Sequence, residues 1–170
     1  MKVRKNYLWI LLLVIVLGVG VGIYVHSHTE PAHVSLAAFN TKEEQLTQEA
    51  EKIFADIQVR YDQLEKGAIK VDEFKKQMTP LRDQMKKNWD EYKKFTQENP
   101  LSTVDRESKT FKEGVALASN VRFNIYTFLI NVTEQNLTKQ QIEEKHKEYL
   151  SQIENKLKQY RELTKDLKSS

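Results

Sequence analysis

The sequence predicts an all-α chain: an N-terminal transmembrane helix followed by an antiparallel up-down-up-down four-helix bundle. Three observations predict it. Tyr7 to Val25 is a run of nineteen residues without a charge. After it, apolar residues recur at steps of three and four in four successive stretches, and no stretch alternates at the period of two that a half-buried strand requires. The connections near 67–71, 99–102 and 135–138 are short, which makes consecutive helices antiparallel neighbours.

The first element is the apolar run. A helix of that length rises roughly 28 Å, close to the hydrocarbon core of a bilayer. Tyr7 and Trp9 at one end and Tyr24 at the other suit the two membrane interfaces. Lys2, Arg4 and Lys5 are the only charged residues before Glu30. They act as a topology signal, keeping residues 1–6 in the cytoplasm as a short tail and sending everything after Val25 to the extracytoplasmic face. A cleaved signal peptide, giving a secreted product, is the alternative. Against it, the run exceeds the roughly 7–15 residues of a signal peptide's apolar region, and the small-residue sites beyond it are poor. Gly18 and Gly22 lie four apart, but in a span rich in glycine and valine this spacing says little about helix pairing.

Residues 26–40 read as a juxtamembrane linker. They hold three of the four histidines, His26, His28 and His33. Imidazoles are common metal ligands, yet here only Glu30 could assist them and nothing fixes their geometry. No metal is assigned.

The bundle is expected over 41–168. Its first helix, 41–66, opens on Thr41-x-x-Glu44 as a capping box. It carries Leu46, Ala50, Ile53, Ile57, Tyr61 and Leu64 on one stripe, and Gly67 is positioned as its C-terminal cap. The second, near 71–98, carries Phe74, Met78, Leu81, Met85, Trp89, Tyr92 and Phe95. Pro80 removes one of its backbone bonds and should bend it, but the period persists on both sides. The third, 103–135, opens at Ser102 or Thr103 with Asp105 in its first turn. It carries Val104, Phe111, Val115, Ala118, Val121, Ile125, Phe128, Leu129 and Val132. The fourth opens on a capping box, Thr138-x-x-Gln141, and carries Ile142, His146, Tyr149, Leu150, Ile153, Leu157, Tyr160, Leu163 and Leu167.

Charge sorts among these helices. From Glu30 to Ser170 there are 24 basic and 24 acidic residues, so a basic groove for nucleic acid is not expected. Helix 41–66 has four basic and seven acidic residues, whereas 70–98 and 139–168 each have eight basic and six acidic. In an up-down-up-down ring the acidic helix touches both basic ones, a weak preference for that order.

Chemistry is sparsely signalled. With no cysteine in the chain, disulfides, thiolate metal sites and a cysteine nucleophile are excluded. Phosphate loops, HExxH and nucleophile-elbow motifs are missing. Glu143-x-x-His146 occurs once, but a di-iron bundle needs two such pairs. His146 therefore reads as a core histidine, and nothing specific supports haem ligation by His146 with Met78 or Met85. No cofactor and no enzymatic activity are expected. Asn131-Val-Thr133 and Asn136-Leu-Thr138 match the glycosylation tripeptide, but Thr138 is better used as a helix cap, and the composition reads as bacterial.

The most informative excess lies in the third helix. Leu117, Phe123, Tyr126 and Ile130 fall off its core stripe, so Val115 to Val132 is apolar nearly all round. Such a helix is either wrapped by neighbours or offers a second contact face. Phe123, Tyr126 and Ile130 form the candidate partner-contact face. The expected function is that of a membrane-anchored, extracytoplasmic, non-enzymatic interaction or adaptor protein. It would hold the bilayer through residues 7–25 and bind another membrane or envelope protein, or a second copy of itself. The alternative is a ligand-sensing bundle that relays to a partner protein; it resembles the periplasmic four-helix domains of bacterial chemoreceptors in shape alone.

Overall fold

The computed structural model describes residues 34–99 and 101–168. Within them the chain is all-α, 88% helical, with five helices and no strand. They are α1 (Leu36–Glu65), α2 (Val71–Glu98), α3 (Thr103–Glu107), α4 (Lys109–Glu134) and α5 (Lys139–Lys168). Among the described residues no helix is long and apolar enough to cross a membrane. The anchor expected over 7–25, with Lys2, Arg4 and Lys5 before it and His26, His28 and His33 after it, lies outside the described residues.

Helix α1 begins five residues before the expected boundary, so part of the segment read as linker is helical. Ser35 is its cap, accepting a bond from the Ala38 amide at 3.2 Å. Thr41 is inside the helix and donates to the Ala37 carbonyl at 2.9 Å. The reason is packing. Phe39 finds Phe95 and Phe111 at ring separations of 4.6 and 5.2 Å, so the helix extends back to bury it. At the other end Gly67 adopts φ 71°. The Ala68 amide reaches the Gln63 carbonyl at 2.8 Å and the Gly67 amide reaches Leu64 at 3.1 Å, a Schellman ending that requires the left-handed conformation glycine tolerates.

Helix α2 runs unbroken past Pro80, whose side chain is exposed. Asn99 closes it through both its amide and its side-chain nitrogen, each bonded to the Phe95 carbonyl. The third helix, expected as one piece over 103–135, is two. Ser108 takes an extended conformation, φ −56° and ψ 126°, between α3 and α4. The Ser102–Asp105 cap closes α3 on itself, with the Asp105 amide 3.2 Å from Ser102 Oγ. The Lys112–Glu107 ion pair at 2.6 Å then spans the break. Helix α5 starts as expected: the Thr138 amide reaches Gln141 Oε1 at 2.9 Å and the Gln141 amide reaches Thr138 Oγ1 at 3.3 Å, a closed capping box.

The long helices pack side by side in the order α1–α2–α4–α5. Paired residues run in opposite directions along each seam. On α1–α2, Lys42 meets Glu91 and Leu46 meets Asn88. On α2–α4, Arg82 meets Glu134 and Asn88 meets Arg122. Helices α1 and α5 are joined by long side chains: Tyr160 to Glu43, His146 to Gln58 and Lys139 to the Glu65 carbonyl. The charge pattern is carried unevenly. Arg161 grips Glu51 of the acidic helix at 3.0 Å, but the Lys42–Glu91 pair runs the opposite way, with the basic group on α1.

Buried apolar side chains form one large cluster, with Ile53, Ile57, Phe74, Met78, Met85, Ile125, Phe128 and Leu129 among its members. A separate small cluster of Leu46, Tyr92, Ala118 and Tyr160 sits toward the start of α1. Met78 and Met85 are core packing, in the same cluster as each other.

Candidate functional site

Phe123, Tyr126 and Ile130 occupy positions i, i+3 and i+7 of α4, which places them along one side of the helix. Phe123 is 52% exposed, one of two large hydrophobic residues that are open among those described; the other is Val59 on α1. Tyr126 and Ile130 are half-buried, and Tyr126 also packs against the main core. Helix α2 completes the patch with Trp89, a residue the apolar stepping placed in the core. Its ring lies edge-on to both Phe123 and Tyr126, with each centroid 5.8 Å away, in the perpendicular geometry that aromatic pairs favour. Asn88 takes the buried position instead. The sequence contained this choice, since steps of 4-3 and 3-4 from Met85 to Tyr92 both fit a helix.

The rim on the α2 side is charged. Asp90 holds Lys86 at 2.6 Å and Lys93 at 2.9 Å, and the Lys93 ammonium sits 6.0 Å from the Trp89 ring. The hydrogen bond from Lys86 pulls the Asp90 carboxyl below its ordinary range. An aromatic centre with a solvated polar rim is the composition of protein-binding surfaces.

A second arrangement lies beneath, and sequence reading missed it. Arg122 on α4 is fully buried. Its Nη1 donates to the Ala118 carbonyl at 2.8 Å, Nε to Asn88 Oδ1 at 3.0 Å and Nη2 to Thr47 Oγ1 at 3.3 Å. The guanidinium lies 3.9 Å above the Tyr92 ring, a desolvated cation–π contact. Tyr92 Oη in turn lies 3.1 Å from Glu43 Oε1 and 3.2 Å from the Val115 carbonyl, sharing one proton between them. Tyr160 Oη approaches the other Glu43 oxygen at 3.5 Å. Thus α1, α2, α4 and α5 each contribute to a layer in which a buried cation and a buried carboxylate are bridged through a tyrosine. Burial raises the Glu43 carboxyl and lowers the Arg122 guanidinium from their ordinary values. The phenols of Tyr92 and Tyr160 are also pushed up by burial.

A signal for this layer was present. Ala118, Arg122, Ile125 and Leu129 step by 4-3-4, so Arg122 falls on the core stripe of α4. Glu43 and Thr47 fall on that of α1 in the same way.

His146 is buried at 6% exposure. It stacks on Tyr61 with ring centroids 3.4 Å apart and planes 8° from parallel. Its Nε2 is 3.0 Å from Gln58 Oε1, and burial pushes its pKa down to about 4. Neutral and enclosed, it fills the seam between α1 and α5. Among the described residues no three His, Asp or Glu side chains gather as a metal site. Of the two glycosylation tripeptides, Asn131 is engaged with Tyr149 and Gln135, and Thr138 serves the α5 cap. No protein-family model, curated protein or solved structure matches the chain.

Proposed function

We propose that the chain is a membrane-anchored, extracytoplasmic adaptor, a single up-down-up-down bundle that docks a second membrane or envelope protein through Trp89, Phe123, Tyr126 and Ile130. The observation that carries this reading is the exposed Phe123 ring, held edge-on by Trp89 across the α2–α4 seam. Aromatic anchors ringed by polar groups dominate binding energies.

Site-specific photo-crosslinking in cells tests this. A crosslinker at Thr127, on the rim of the patch, should trap one discrete protein species. The same group at Val59, the other exposed apolar position, should not. Equal trapping from both positions would refute the docking face, and trapping of the chain itself would identify the partner as a second copy.

A further inference from the structure

We infer that the bundle opens in two steps, dividing at the Glu43–Arg122 layer: the end where α1 begins separates while the rest stays packed. This goes beyond the docking reading and does not depend on it. Three features of the interior support it.

The apolar core is not continuous. The main cluster and the small cluster of Leu46, Tyr92, Ala118 and Tyr160 are distinct, and the polar side chains of Thr47, Asn88 and Arg122 sit where the helix stripes pass from one to the other. Cooperativity between two parts of a core travels through shared apolar contact, so an interposed polar layer weakens it.

The cost of opening is also lowest there. Exposing apolar surface is unfavourable at any level of the bundle. At this level, opening also returns a guanidinium and a carboxylate to water and so recovers part of their desolvation cost.

The small end also holds the interruption of the third helical stretch, where Ser108 separates α3 from α4.

Hydrogen exchange of the full chain, read by mass spectrometry at rising low denaturant, tests the division. Segments 36–46, 92–98, 109–118 and 160–165 should share one opening with one denaturant dependence. They should exchange at least ~10-fold faster than segments 50–64, 74–85, 121–132 and 142–157. A single global opening for all eight segments would overturn the inference. So would a smooth gradient inward from the helix ends with no shared step, which is simple fraying. The Arg122→Met, Glu43→Gln double variant strands Asn88 Oδ1 only while the small end is closed, so it should widen the ratio between the two groups of segments by about 10-fold. If the original ratio persists in that variant, the layer is not the divider. If the variant does not fold, the unsubstituted chain decides alone.

Discussion

Replacing Arg122 by methionine isolates the buried layer, because methionine keeps most of the packed volume and discards the charge. Three acceptors then lose a donor: Asn88 Oδ1, Thr47 Oγ1 and the Ala118 carbonyl. The carbonyl retains its helical bond and Thr47 can turn its hydroxyl, so Asn88 Oδ1 is the acceptor left wanting, at about 1–3 kcal/mol. Glu43, only 4% exposed, keeps the Tyr92 hydrogen bond that offsets its desolvation most but loses the Arg122 charge that adds to it. Breaking a directly paired buried ion pair costs about 3–5 kcal/mol, and this pair, bridged through Tyr92, belongs at the lower end of that range. These two terms overlap, since both describe the stranded layer, and a net loss of about 3–4 kcal/mol is expected. Adding Glu43→Gln should recover about 1–2 kcal/mol of it.

The loss should also depend on pH. Without Arg122 the Glu43 carboxyl rises further above its ordinary value, so its penalty is full above the folded-state pKa and vanishes as pH falls below the unfolded one. Urea unfolding of the full chain at pH 7 and pH 5, followed by circular dichroism, measures both effects. A loss under about 1 kcal/mol at pH 7, or one that grows on acidification, would refute the buried placement of this pair.

Other outcomes follow from the same structure. His146 titrates near 6.5 when unfolded and at about 4 when folded, so the folded state resists its protonation. Its contribution is complete above pH 6.5 and is lost as pH falls toward 4, to a limit of about 3 kcal/mol. The raised Glu43 carboxyl opposes this trend, so the difference between the parent chain and His146→Phe across that window is the quantity to measure. Gly67→Ala should cost about 1 kcal/mol through φ 71° alone, since nothing lies within 4 Å of the added carbon. Thermal unfolding would show this, and an unchanged midpoint would argue against the Schellman ending. Phe128→Ala should cost about 3–5 kcal/mol and Phe123→Ala, which loses only the edge-on Trp89 contact and a half-buried ring, about 1, a contrast that equal midpoints would contradict.

Much of the helical plan was legible before any coordinates. The capping box at Thr138, the glycine stop at Gly67 and the core stripes of α1 and α5 depend on local bonding and periodicity, which a sequence states directly. What escaped depended on what a helix meets. Leu36 to Asn40 could be linker or helix until Phe39 found Phe95 and Phe111. The break at Ser108 carries no proline or glycine to announce it. Trp89 and Asn88 compete for one inward position, and size argues for the wrong one. The layer of Arg122 and Glu43 went unread because a charge on a core stripe is discounted unless its partners, 79 positions apart for this pair, are seen together. Phe123, Tyr126 and Ile130 share one side of α4 by their spacing. Tyr126 is half core, however, so Tyr126→Asp would disturb the fold and the surface at once.

Phe123→Asp is therefore the most direct probe of the docking face. It should be introduced into the full chain in cells, with Val59→Asp as the matched control, and both should be read by circular dichroism and by crosslinking from Thr127. The expected result is that both variants keep the parent helicity, Val59→Asp crosslinks as the parent does, and Phe123→Asp loses the crosslinked species. Undiminished crosslinking by a folded Phe123→Asp chain would contradict the docking face.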